Sequence, residues 1–245
     1  MNDKVYTHEL IDIRGVHRPH YMHHMTANWS PIAQEERHQL CFGVWGTVGT
    51  THRWPQVVNM WEEDGFDGLA AGFGHELGRP NLQDEKLEKW WTEAANYRRG
   101  GFDRVVVPAP WTRTIEELCA DGVKGQAYAH ETTRVAPGGA DGYLRSVADV
   151  AVPALERFGW ELVGAFKTSM RADDECIVIW AIESWQHWAE VEKAVYADLG
   201  VRAWRDLQWG GNGFERFLMC DAPLSPMKIG RQPARSDRHE GWTDL

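Results

Sequence analysis

Tyr6-Thr7-His8-Glu9 returns as Tyr128-Ala129-His130-Glu131, an offset of 122 residues. Working outward, Tyr21-Met22 is matched by Tyr143-Leu144, and Pro31 by Pro153, at the same offset. Gly43-x-Trp45-x-Thr47 comes back as Gly164-x-Phe166-x-Thr168 at 121, and Trp61 as Trp180 at 119. Gly101-Phe102-Asp103-Arg104 is echoed by Gly213-Phe214-Glu215-Arg216 at 112. Matches in one order, with the offset drifting only between them, mean two copies of one unit. At ~100 residues that unit is too long for a solenoid repeat. Features kept in both copies read as architecture, and features present in one copy are candidates for chemistry.

Each half reads strand, helix, strand, strand, helix, strand. Val5, Thr7, Glu9, Ile11 and Ile13 alternate with Tyr6, His8, Leu10 and Asp12, the period of a strand. A helix follows near 19–37, with Pro19 in its first turn, then strands over 40–48 and 56–62. A charged helix over 84–98 is stopped by Gly100-Gly101, and 104–107 is a short strand ended by Pro108. The second half predicts strands at 128–135, 161–170, 175–182 and 214–220, with helices at 141–158 and 185–196 and a turn at 171–174. This βαββαβ order is the ferredoxin-like one. The expected fold is therefore α+β: two tandem ferredoxin-like repeats forming a dimeric-α/β-barrel-type arrangement within one chain. Residues 1–110 and 126–223 are the repeats, 111–125 a linker and 224–245 a polar tail, too poor in apolar residues to fold alone.

A net charge of -10 argues against nucleic acid or an anionic membrane as partner. No apolar run reaches membrane-spanning length, and Met1-Asn2-Asp3-Lys4 lacks a signal peptide's apolar region, so a cytoplasmic location is expected. Cys41, Cys119, Cys176 and Cys220 have no metal or redox spacing and are expected as reduced thiols. The fourteen tryptophans suit a core, a subunit interface or a pocket for flat ligands. Sheet edges of ferredoxin-like units invite pairing, so a homodimer or larger homo-oligomer is expected. There is no Gly-x-Ser-x-Gly, no P-loop and no dinucleotide fingerprint after a strand.

Val5-Tyr6-Thr7-His8-Glu9-Leu10-Ile11-Asp12-Ile13-Arg14 resembles the opening strand of NIPSNAP-type domains. The glycine in the second strand and the third strands closing on Trp61-Glu62-Glu63 and Trp180-Ala181-Ile182-Glu183 are similar too. The resemblance implies the dimeric α/β-barrel superfamily. That group includes cofactor-free monooxygenases, lyases and cyclases, and haem proteins such as chlorite dismutases, dye-decolorising peroxidases and aldoxime dehydratases. A phenylpropene-cleaving oxygenase is similar in domain type.

Candidate residues follow from position and type. Tyr6 and His8 share a strand face, and a histidine there can act as a base near neutral pH. His17, His20, His23 and His24 cluster only in the first half. His20 and His24, at i and i+4, lie on one helical face, but no His-Glu-x-x-His pattern accompanies them and no metal site is assigned. His24 joins His8 and Tyr6 as a catalytic candidate. His75, in Gly72-Phe73-Gly74-His75-Glu76-Leu77-Gly78, sits between glycines that allow a flat ligand to approach. It is the first candidate to hold a haem, with His187 its rival. Trp45 and Trp61 are expected to shape a pocket. The expectation is an oxygenase or other oxidoreductase acting on an aromatic or terpenoid-like molecule, its cofactor unknown and haem the candidate considered. A cofactor-free lyase, isomerase or cyclase is the alternative, and a non-catalytic binding or scaffold protein the second. The site is expected in the first half, between sheet and helices.

Overall fold

The structure is a computed structural model and describes residues 1–171, 173–209 and 213–239; position 172 of the 171–174 turn and the tail residues 240–245 lie outside them. The first half contains β1 (Val5–Ile13), a helix α1 built of Arg18–His23, His24–Trp29 and Ser30–Arg37, β2 (Leu40–Thr47) and β3 (Gln56–Glu63). Then come α2 (Gly65–Leu77), α3 (Glu88–Tyr97) and β4 (Arg98–Pro108). A short helix α4 (Ile115–Ala120) leads to β5 (Ala127–Arg134). The second half continues with α5, built of Ala140–Ser146, Val147–Ala151 and Val152–Glu156, then β6 (Trp160–Thr168) and β7 (Glu175–Ile182). It closes with α6 (Trp185–Ala194), α7 (Leu199–Trp209), β8 (Gly213–Asp221) and a final turn of helix α8 (Pro226–Ile229).

All eight strands join in one closed antiparallel barrel, in the order β1-β3-β2-β8-β5-β7-β6-β4. Each half supplies four neighbouring strands, and the halves meet where β2 pairs β8 and β4 pairs β6. The chain thus carries both ferredoxin-like repeats of a dimeric α/β barrel. The seams are short, pairing only Trp45–Thr47 with Met219–Asp221 and Val106–Pro108 with Phe166–Thr168, so Arg98–Arg104 of β4 pairs with β1 on one side alone and still offers an edge. No helix among the described residues is long and apolar enough to cross a membrane.

The central helices of α1 and α5 both pass through a π-helical turn, at His24–Trp29 and Val147–Ala151. Pro31 and Pro153 follow those turns at the matched offset. A proline inside a helix has no N–H to donate and crowds the preceding turn. The wider turn accommodates that loss, and such turns recur at functional positions.

Period-two alternation divides β1 between two environments. Tyr6, Leu10 and His8 turn into the barrel, where the first two join Phe42, Met60, Phe166 and Ile179 in an apolar interior. Thr7, Glu9 and Ile11 turn outward toward the helices. Two separate layers cover the outer faces, one around Trp29, Trp61 and Trp90, the other around Trp160, Trp180 and Trp204.

Several expectations are corrected in detail. The glycine-flanked segment around His75 is helical, because α2 spans Gly65–Leu77 despite its glycines. In the second half a helix that was not expected, α7, spans Leu199–Trp209. The connection 111–125 carries α4, opened by a capping box of Thr114 and Glu117, and its Ile115 and Leu118 plug one end of the barrel. The tail does not lie apart from the core: Ser225 and Met227 are buried, and Met227 joins the barrel interior. Beyond it, the Gln232 side chain bonds both backbone groups of Cys41, and Arg235 pairs with Glu35 on α1.

Candidate functional site

The halves differ where the closing strand meets the central one. Glu9 on β1 stands opposite Asp103 on β4, whereas Glu131 on β5 stands opposite Arg216 on β8. Structural equivalence therefore runs at 113, from Asp103 to Arg216, and corrects the offset of 112 suggested by the shared Gly-Phe-acid-Arg motif. A slip of one residue sends every side chain to the opposite face. Arg216 consequently points outward and clasps Glu131, with nitrogen–oxygen distances of 2.7 and 2.8 Å, under the Trp204 ring. Arg104 points inward beside the barrel histidines and pairs with Glu175 at 3.1 Å.

Glu9 is left without that arginine. Its carboxylate accepts hydrogen bonds from the Asn59 amide at 2.7 Å and the Trp61 indole N–H at 3.2 Å. Asn59 also donates to the Tyr21 hydroxyl at 2.9 Å. Burial, reinforced by Asp103 across the strand pair, pushes the Glu9 carboxyl up to about 7. Asp103 is itself raised by burial, with Arg98 opposing the rise.

Glu9 borders a cavity of about 240 Å³ between the first half's sheet and its helices. Trp61, Trp29, Trp90 and Trp91 supply flat apolar walls, with Phe73 and Met25. Trp29 and Trp90 are tilted at 4.9 Å, and Trp90 meets Trp91 edge-on at 4.8 Å. Arg37, whose guanidinium lies over Trp29 and bonds Glu76 at 2.7 Å, and Arg98, over Trp91, form the polar side. Gly72 on α2 also lines this wall and faces open space, since a Cβ there would meet nothing within 4 Å. In the second half, Arg216, Trp204 and Gln208 lie together beside Glu131.

Trp61 is at this site, but the other residues singled out in the sequence are elsewhere. His8 is inside the barrel and fully buried, its Nε2 2.8 Å from Nε2 of His130 across the two halves. One ring must donate and the other accept, and burial keeps both pKa values low, that of His130 near 3. This contact joins the halves and borders no described cavity. Tyr6 donates to Glu62 at 2.9 Å where α4 closes the barrel, and burial raises its pKa. Trp45 is likewise an interior residue, in contact with Phe42 and Tyr128.

His24 stacks on Trp90 at 4.9 Å. Its Nε2 lies 3.1 Å from the Trp90 carbonyl and its Nδ1 3.0 Å from the Asn28 amide, while burial lowers its pKa to about 4. His24 braces the cavity wall from behind. His75, on α2, turns away from the cavity and bonds Asp84 at 3.1 Å, with Glu36 at 3.7 Å. These three side chains form a donor set a metal ion can use, with Arg79 3.6 Å from the same aspartate. His187 lies in the first turn of α6, where Ser184 is the cap: its hydroxyl accepts from the His187 backbone N–H and lies 3.0 Å from the His187 Nδ1. No histidine lines the Trp-walled cavity among the described residues, and its volume lies below the ~300–1,000 Å³ of drug-sized ligand sites. These residues do not fit the axial ligation of a haem.

Glu9, Asn59, Arg37, Asp103 and the Trp90-Trp91 pair escaped sequence reasoning. Glu9 lay inside the quoted repeat motif, but its duplication marked it as architecture. The available signal was the residue opposite it, which required the strand register.

No family model and no curated protein matches the sequence. Among solved structures, a candidate monooxygenase of Lactobacillus acidophilus superposes with a TM-score of 0.57 at 7% identity, covering 96% of this chain and 97% of its own. An anthrone oxidase-like protein gives 0.59 at 11% identity, covering 90% and 92%. A NIPSNAP family protein of unknown function from Agrobacterium tumefaciens is 26% identical over 42% of this chain and 94% of its own, with a TM-score of 0.37. The first two share the full-length dimeric α/β-barrel fold.

Proposed function

We propose that the chain is a cofactor-free enzyme, oxygenase in type, that removes a proton from a small one- or two-ring aromatic molecule held between the tryptophans. The observation that carries this reading is Glu9: a carboxyl raised to about 7, on the wall of an aromatic cavity, without the arginine that neutralises its twin Glu131. A general base works best when its pKa lies near the working pH. Asn59 and Trp61 fix the carboxylate by donating to one oxygen, leaving the second to meet the substrate proton.

A CH2 group between an aromatic ring and a carbonyl has the required acidity. Glu9 takes one proton, and the resulting anion delivers electrons to dioxygen, which is a substrate. The carbon–oxygen bond forms, the proton returns to the peroxide, and loss of water with the second hydrogen leaves a new carbonyl. The tryptophan walls exclude bulk water from the anion and hold the ring plane. The names of the full-length structural neighbours agree with oxidation, and the base supports the proton step whatever follows it.

2-Tetralone tests both parts. Hydrogen–deuterium exchange at C1, followed by NMR in D2O without oxygen, isolates proton removal. The wild-type protein should accelerate it and Glu9→Gln should not. Oxygen uptake in air then separates an oxygenase from a lyase or isomerase using the same base. Equal exchange by wild type and Glu9→Gln refutes the assignment.

A further inference from the structure

Arg37 is unusual among the cavity residues. Its side chain is 7% exposed, yet only Nη1 has a protein partner, the Glu76 carboxylate at 2.7 Å. Nε and Nη2 are buried with no hydrogen-bond partner among the described residues. The indole N–H groups of Trp90 and Trp91, on the same cavity, are in the same condition. A buried donor without an acceptor costs about 1–3 kcal/mol. Such a cluster favours a ligand that brings oxygen.

Charge selects the kind of oxygen. Four carboxyl groups, Glu9, Glu63, Glu76 and Asp103, line the cavity against Arg37 and Arg98. A ligand that arrives as an anion is opposed by this ring, whereas a neutral carbonyl or phenol is not. Once Glu9 has taken a proton, one of those negative charges is gone and a new one appears on the ligand oxygen. A guanidinium with two parallel donors can accept that charge. Both copies end this helix in a left-handed residue, His38 and Gly159, which puts Phe158 at the position matching Arg37, so the feature belongs to the first half alone.

We propose that Nε and Nη2 of Arg37 hold the substrate's carbonyl or phenol oxygen, and that negative charge develops there as the proton passes to Glu9. The ligand class is a neutral aromatic ketone or phenol that ionises in place. The proton moves from ligand carbon or oxygen to the carboxylate of Glu9, and the electron pair it leaves ends on the oxygen facing Arg37. Donors fixed before the charge appears stabilise the ionised state more than the neutral one, which is how such a site accelerates a reaction. This inference rests on the assignment of Glu9 as base.

4-Nitrophenol is the probe, because its ionisation is read from its visible spectrum while bound. On wild-type protein the bound phenol should ionise more readily than on Arg37→Gln, by at least tenfold in the apparent ionisation constant. Arg37→Lys, which keeps the charge but not the fork, should fall between. Glu9→Gln should favour the bound phenolate further, since it removes a neighbouring negative charge; the two variants thus shift the spectrum in opposite directions. Thermal melts establish that each variant is folded. Equal ionisation on wild type and Arg37→Gln overturns the proposal, as does failure of the probe to bind the wild type at millimolar concentration. If 2-tetralone exchange survives Arg37→Gln at the full rate but vanishes in Glu9→Gln, the base stands and the role of Arg37 falls.

Discussion

Replacing Glu9 by glutamine should stabilise the protein in alkali and leave its acid stability unchanged. The Glu9 carboxyl titrates near 7 in the fold against an ordinary value of 4.5, so the folded chain binds this proton more tightly than the unfolded one. Between those two values the folded state carries more protons, and stability falls as the pH rises through the window. Above it the full penalty applies, at most about 3 kcal/mol at ~1.36 kcal/mol per pH unit, and closer to 1–2 kcal/mol if the cavity admits water. The amide of the variant has no charge to desolvate, and its oxygen can still accept from Asn59 and Trp61. For a chain of this size the gain corresponds to a melting temperature higher by roughly 3–9 °C at about pH 8.5. Urea unfolding of both proteins at about pH 4 and about pH 8.5 measures the difference. A variant equally stabilised at both pH values, or less stable than wild type in alkali, would refute the claim that Glu9 is a strained, ionisable base.

Asp103→Arg should rebuild in the first half the pair seen between Arg216 and Glu131. It should raise the melting temperature and abolish 2-tetralone exchange, a stability gain at the expense of activity that calorimetry and NMR check together. His8→Leu and His130→Leu should each destabilise by about 1–3 kcal/mol, because each leaves the other ring's nitrogen unpaired inside the barrel. Binding of 4-nitrophenol should be unchanged in both. Since both rings are held neutral with lowered pKa values, their contribution is complete above the ordinary 6.5 and is lost as the pH falls, so the double leucine variant should lose less stability in acid than wild type. Met227→Ala should cost about 2–5 kcal/mol by opening the barrel end, and truncation after Pro223 at least as much; an unchanged melting curve would mean the tail is dispensable.

The duplication made the fold legible. Strand periodicity in Val5–Ile13 and the ordered matches located seven of the eight strands closely, because each is a half-buried segment whose pattern repeats. β4 was underread, since Arg98–Phe102 is polar and glycine-rich and is held by pairing with β1 rather than by its own propensity. Helix α2 was missed for a related reason: its glycines lower intrinsic propensity, and its place against the sheet restores what the sequence withholds. The proposed site lies in the region expected for one, the first half between sheet and helices, but of its lining only Trp61 was singled out in the sequence. Histidines drew attention through their chemistry, but the Nε2 atoms of His8 and His24 bond neighbours 122 and 66 residues away. Such partners cannot be seen along the chain.

Glu9 and Glu131 show why residue identity was a poor guide here. Both copies have the same side chain at the same strand position, and the rule that shared features are architecture sets both aside. What differs is the neighbour, and a one-residue slip of β4 relative to β8 accounts for that difference. It sends Arg104 into the barrel, puts Asp103 opposite Glu9, and converts an ion pair into a repulsion that keeps a proton near neutrality. Asp103 thus takes the place of Arg216, which clasps Glu131 under Trp204 in the second half, while the first half's arginine at this wall, Arg98, stacks on Trp91 instead. The register leaves Glu9, on the wall of the first half's cavity, facing Asp103 instead of an arginine, and the proposed base rests on that difference. The duplicate with its intact ion pair keeps the other wall of the barrel stable while the first half bears the cost.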